Sequence, residues 1–149
     1  MTTPDLELIA AVHAEFKRNP DIYPSFGASI YMDWLPKGTD YPAITVGTGP
    51  VNEDGANGLD MDDFELHIDI WARLDDTSLN GEAANVFVRE KGRTVKKLLH
   101  FAHCNDLFRL TGFTLARLVH TTTLTLPERL SGIERIRVTF GASIEEERP

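Results

Sequence analysis

The chain has 149 residues, 42% of them hydrophobic, a single cysteine and a formal net charge of -8. That is enough apolar material for one domain with its own core, without disulfides or a structural metal, and a lone Cys104 makes no intrachain disulfide. The acidic balance excludes a general DNA-binding surface, which needs clustered Lys and Arg, and no apolar run approaches the roughly 18 residues of a membrane span.

The opening "MTTPDLELIA" has neither the basic nor the apolar region of a signal peptide, so a reducing cytoplasm is the expected site of synthesis. Pro4 suits a first helical position. Ile9, Val12 and Phe16 then recur at helical spacing until "NPDIYP" stops the pattern, which predicts a helix over about residues 4–18. "ASIYM" and "AITVGT" are predicted as short strands separated by "DWLPKGTDYP", whose prolines, Gly38 and Asp40 are turn material. "GPVNEDGANGLDMDD" is too long for a tight hairpin and too polar for a core, which predicts a projecting loop from Pro50 to Asp62.

Next, "DFELHIDIWAR" alternates with a period of two. Phe64, Leu66, Ile68, Ile70 and Ala72 share one side of a strand, and Glu65, His67, Asp69, Trp71 and Arg73 share the other. After "DDTSLNG" comes a second helix, with Ala84, Val88, Val95, Leu98, Leu99 and Ala102 on one side and Arg89, Arg93, Lys96 and Lys97 opposite. Within it, Gly92 allows a close backbone approach, and Lys91 must snorkel or meet an acid. "FTLARLVHTTTLTL" and "IERIRVTFGAS" are predicted as strands joined by "PERLSG", the second alternating Ile136, Val138 and Phe140 with Arg135, Arg137 and Thr139.

The order α-β-β-β-α-β-β, without repeats, predicts an α+β fold: a mostly antiparallel sheet of four to five strands with two helices packed on one face. One domain is expected over residues 1–149, ending in a flexible acidic tail from about 144. Phe64, Leu66, Ile68, Ile70, Val88, Val95, Leu98, Ile136, Val138 and Phe140 are the expected core.

Charge is unevenly spread along this frame. Between Asn52 and Asp76 nine acids face one base, Arg73, whereas the second helix is basic. Opposite signs on separate elements pair within a chain or between neighbours. The candidate subunit interface is accordingly Glu53, Asp54, Asp60, Asp62 and Asp63 against Arg89, Arg93, Lys96 and Lys97. The candidate partner face is Glu65, His67, Asp69, Trp71 and Arg73 with Arg135 and Arg137, since tryptophan and arginine are enriched where partners dock.

Catalytic and metal chemistry finds little support. "HFAHC" sets His100, His103 and Cys104 at helical spacing for zinc, but a fourth ligand is missing and histidine also suits a helix end. The acids and Asn52 of the loop do not fit the register of a calcium loop. "GTGP" opens no helix that would cradle a phosphate, and no nucleophile signature is present. No catalytic residue, metal or cofactor is therefore assigned.

The run from "DFELHIDIWARLDD" through the helix of Ala84, Val88, Val95, Leu98 and Leu99, then "LTGFTLARLVHTTT", "PERLSG" and "IERIRVTFGAS", resembles the tail-terminator and tail-completion proteins of tailed bacteriophages and phage-like gene transfer particles. Upstream, "SIYMDWLPKGTDYPAITVG" is similar to the family's early strand, proline turn and second strand, so the likeness spans about residues 5–144. The resemblance implies a non-enzymatic virion protein, assembled in the host cytoplasm, that forms a ring of about six subunits at the head-proximal end of the tail tube. Its implied partners are further copies of itself, the tail tube protein and a neck or connector protein. DNA would pass through without tight binding, and no membrane is involved. A head-tail adaptor and a small non-viral binding module are the alternatives. The loop from Pro50 to Asp62 is longer and more acidic than the family pattern.

Overall fold

Leu8, Ile9, Val12 and Phe16 form the buried stripe of α1 (Pro4–Arg18). Pro4 opens the helix, Asp5 and Glu7 lie in its first turn and Lys17 and Arg18 in its last, each charge complementing the helix dipole. Glu15 is buried on the same helix and accepts a hydrogen bond from Arg18 Nε at 2.6 Å. The structure is a computed structural model and describes residues 3–49, 61–75, 79, 83–105, 107–126 and 132–147.

The "NPDIYP" stretch stops α1 as expected, but it then forms a four-residue helix, α2 (Tyr23–Phe26), which buries Phe26 beside Ile22. One turn is too short to show a period, so the two-helix expectation becomes three helices. β1 (Ile30–Met32) and β2 (Ala43–Thr48) follow, with Tyr31 opposite Thr45, and they pair in parallel. This corrects a connection expected to be a simple turn: residues 33–42 carry the chain back along the sheet. Asp33 takes a left-handed φ of 67° at its start.

β3 (Met61–Arg73) pairs antiparallel with β2 and with β5 (Ile133–Glu146), and β5 pairs with β4 (Phe113–Thr125), giving the order β1-β2-β3-β5-β4. Two boundaries differ from expectation. Met61, Asp62 and Asp63 belong to β3 and not to the preceding loop expected to reach Asp62, while the rest of that expected loop, residues 50–60, lies outside the described residues. β5 runs to Glu146 with Ile144 only 1% exposed, so residues 144–146 belong to the strand.

α3 (Ala84–Leu99) lies across β3 and β5 on the face that α1 covers over β1 and β2. Ala84, Val88, Val95 and Leu99 are buried in it, while Leu98 is only partly buried, at the core's rim. Ala102, expected on the same helix, sits in a separate 3₁₀ turn (Ala102–Cys104) after Phe101 breaks the helix with a left-handed φ of 61°. The close approach of α3 to β5 does not require Gly92: a Cβ there would stand 3.5 Å from Val138 Cγ2, an ordinary contact distance. Lys91 snorkels, its Nζ 5.8 Å from the centre of the Phe87 ring. Ile44, Val46, Leu66, Ile68, Ile70, Ile136, Val138 and Phe140 fill the space beneath the helices.

Candidate functional site

The second face of the sheet carries the residues that the alternation set apart. The β3–β5 register places Asp69 opposite Arg137, Trp71 opposite Arg135 and His67 opposite Thr139. Asp69 is 5% exposed and receives both arginines. Arg137 holds it with Nε at 2.8 Å and Nη2 at 3.0 Å, and Arg135 donates from Nη2 at 2.5 Å. A planar guanidinium matches a carboxylate in this two-pronged way, so Asp69 is held more rigidly than by a lysine. Hydrogen bonds to Asp69 and its charge raise Arg137 above its ordinary value, against the opposing effect of burial.

Trp71 completes the network. The Arg135 guanidinium lies 4.1 Å from its ring centre, and the indole N–H donates to Thr45 Oγ1 at 3.4 Å. Thr45, Thr139 and Ser143 are buried on this face by the longer side chains above them. His67 Nε2 lies 2.9 Å from Glu65 Oε2, and the Arg73 guanidinium lies 6.0 Å from the centre of the Tyr41 ring. The face is therefore a polar layer organised around Asp69, with Glu65 and Arg73 on its outside. Thr45 and Ser143 were missed as members of this layer, whereas Thr139 was already set beside Arg135 and Arg137. The parity of "RIRVTFGAS" already put Thr139 and Ser143 on the arginine side.

Arg89, Arg93, Lys96 and Lys97 are all exposed along α3, and no described acid forms an ion pair with them. A groove of about 340 Å³ lies beside them, with Arg89, Arg93 and Lys96 along one wall, Thr123 and Thr125 of β4 along the other, and Gly92 and Ile136 between. A second, of about 330 Å³, is lined by Arg93, Lys96, Lys97 and His100. Of the acids expected to face this helix from a neighbour, Glu53, Asp54 and Asp60 lie outside the described residues. Asp62 lies opposite Ile144, and Asp63 accepts a hydrogen bond from Ser143 Oγ at 2.5 Å.

The histidines weighed as metal ligands hold the backbone. His103 Nδ1 accepts the Leu118 N–H at 3.0 Å, and His100 Nδ1 accepts the His120 N–H at 2.9 Å, tying the end of α3 and the 3₁₀ turn to β4. His120 Nε2 lies 2.7 Å from Thr123 Oγ1. Burial, then Lys96 and His100, lower the His120 pKa from its ordinary value, against a hydrogen bond with the Thr122 backbone. Cys104 is exposed and unpaired.

No curated protein sequence matches the chain. Among solved structures, one chain of the "Virion of native gene transfer agent (GTA) particle" superposes with a TM-score of 0.70 at 17% identity, covering 97% of this chain and 99% of that one. That likeness establishes the fold. The family model for "Tail completion protein gp17" matches residues 10–145, from within α1 through α3 and into β5, and the chain belongs to this bacteriophage tail completion family.

Proposed function

We propose that this protein is a structural component of a phage or phage-like virion that assembles as a ring, about six copies around, on the head-proximal end of the tail tube. There it ends tube growth and joins the tail to the neck. The observation that carries this reading is the family match over residues 10–145. It is supported by the full-length structural likeness to a chain of a gene transfer agent virion. Two features suit the role. The sheet's polar face is rigid and internally paired, as a surface presented repeatedly to partners must be, and the basic side of α3 offers a lateral contact of one sign.

In this reading Arg89, Arg93, Lys96 and Lys97 meet the acidic segment of a neighbouring copy, Glu53, Asp54, Asp60, Asp62 and Asp63, the last of which also accepts a hydrogen bond from Ser143 within its own chain. Glu65, His67, Arg73 and the Trp71–Arg135 stack face the tube or neck. DNA passes without tight binding, because a net charge of -8 repels phosphate. The virion is the destination and the host cytoplasm the place of assembly.

Mixing the purified protein with polymerising tail tube protein tests the proposal. Rings seen by native mass spectrometry, together with tubes that stop lengthening, are the expected result. A protein that remains monomeric and leaves tube growth unchanged would overturn it in favour of an adaptor role.

A further inference from the structure

β4 is an edge strand, and the chain treats its two halves differently. Up to the middle of the strand, outward backbone groups are occupied at Leu118 and His120. The Leu118 carbonyl accepts the Phe101 N–H at 2.9 Å, and the Leu118 and His120 amides are held by His103 and His100. The ladder is irregular between His120 and Thr122, and beyond that point no described residue is hydrogen-bonded to the outward backbone. Thr121, Thr122, Thr123, Leu124 and Thr125 are all exposed. Leu126 N–H points inward to the Arg135 carbonyl, so the alternation of an antiparallel ladder turns the backbone of Thr125 and Thr123 outward. Among the described residues no backbone group pairs with them from that side. A free, uncharged, threonine-rich edge without proline is a ready template for another strand, and natural sheets seldom leave one uncovered.

The groove of Arg89, Arg93 and Lys96 runs beside this same edge, with Thr123 and Thr125 as its other wall. A strand added along β4 would turn alternate side chains toward those cations. A backbone edge open among the described residues and a cationic wall with no described acid paired to it are independent features, and they fit the same ligand: an extended peptide with acidic side chains. We propose that the second half of β4 and the adjoining α3 groove form a strand-addition site for an acidic extended segment of a second copy of this chain. The sequence supplies one in residues 51–60, "VNEDGANGLD", with three acids (Glu53, Asp54, Asp60) and no base.

The donor is a second copy because the chain's own segment cannot reach. It is tied at both ends far from the site, Gly49 N–H bonding the Glu65 carbonyl at 2.8 Å and Met61 pairing with Glu145. Thr125 pairs with Ile136, nine positions along β5 from Glu145 (145 − 136), a distance of roughly 30 Å at about 3.3 Å per residue. Residues 50–60 fully extended span roughly 40 Å from anchor to anchor. After reaching Thr125, roughly 10 Å would remain to return to Gly49, yet β2 lies three strands away at about 4.8 Å per strand.

The identity of the donor rests on the ring reading; the chemistry of the site does not. The test uses the full-length protein and a synthetic peptide of residues 51–60, with binding followed by fluorescence anisotropy at low salt and by amide hydrogen exchange. Two variants separate the parts of the site. Arg93→Glu/Lys96→Glu reverses the wall, and Thr123→Pro removes an outward amide at a position where an edge strand tolerates proline. The expected result is slowed exchange at Thr123 and Thr125 with peptide bound, at least tenfold weaker binding in both variants, and fewer multimers in both. Asp54→Lys/Asp60→Lys added to the wall variant should restore multimers. Equal peptide affinity for wild type and wall variant, or unchanged exchange at Thr123 and Thr125, would overturn the proposal. Rings that persist in both variants also count against this site while leaving the ring reading intact. Peptide binding by a protein that never forms rings supports the site and sinks the ring.

Discussion

The two faces of the sheet are built from the same strands but held together by different physics. On the helix side, Leu66, Ile68, Ile70, Val138 and Phe140 are fully buried, and their stability comes from apolar area removed from water. On the other side, one buried carboxylate, Asp69, organises two arginines and a tryptophan without any covering layer. The apolar face tolerates exchange of one hydrophobe for another of similar volume. The polar face does not, because its members were desolvated on the condition that each meets a specific partner. Rigidity on an uncovered surface therefore depends on pairing, where the core depends on packing.

The sharpest way to break the comparison is to damage each face once. Ile68 has no exposed surface and sits in the core, so Ile68→Ala should lose roughly 2–5 kcal/mol by chemical denaturation, through lost transfer energy and a cavity. A loss well below that range would mean the core relaxes around the gap. On the polar face, Asp69→Asn keeps the shape but removes the charge that Arg135 and Arg137 share. About 1–3 kcal/mol should be lost, less than in the core because both arginines reach water. The tryptophan fluorescence of the folded protein should also shift, as Arg135 is no longer anchored over Trp71.

Two smaller effects sharpen the contrast at the junction of helix and sheet. Gly92 is buried against β5, yet an added methyl would meet Val138 and Ile136 at 3.5 and 3.6 Å, ordinary contact distances. Gly92→Ala should therefore raise stability by up to about 1 kcal/mol through helix propensity, and a lower Tm would show that α3 and β5 have no room to spare. The smallest effect is the pH dependence contributed by His120. Its value in the folded protein is lowered, chiefly by burial, so the unfolded chain binds more protons than the folded one near neutrality. The stability it contributes is complete above about pH 6.5 and is lost as pH falls from there through the lowered value. His120→Gln should flatten the Tm profile between pH 7.5 and 5.5, and an unchanged slope would assign that dependence elsewhere.

The parity of "DFELHIDIWAR" was legible because a strand two-sidedly ordered by burial repeats every second residue, and both faces follow from it. The arginines opposite Asp69 were legible for the same reason, given neighbouring strands. The burial of Asp69 was not, since it arises from side chains some 66 residues away in sequence. Strand direction in a three-residue β1 leaves no mark on composition, so the parallel pair was invisible. Nor could "HFAHC" reveal that its imidazoles would accept backbone amides 15 and 20 positions on, because that role needs only a lone pair in the right place. The boundary at Met61 was hidden because the polar residues at the start of this long strand, Asp62 and Asp63, continue the Gly-, Asn- and Asp-rich composition of the sequence before it.

The pairing of Asp69 with Arg135 and Arg137 has a consequence for how β3 and β5 find each other. Sliding one strand by a single residue would turn every isoleucine to water, so burial alone forbids it. A slide by two residues keeps the faces in phase and costs the core little. It would set Asp69 beside Thr139 or Arg135 in place of Arg137 and break the two-pronged bond. The buried carboxylate thus acts as a key cut for one alignment, selecting among registers that the hydrophobic pattern cannot tell apart.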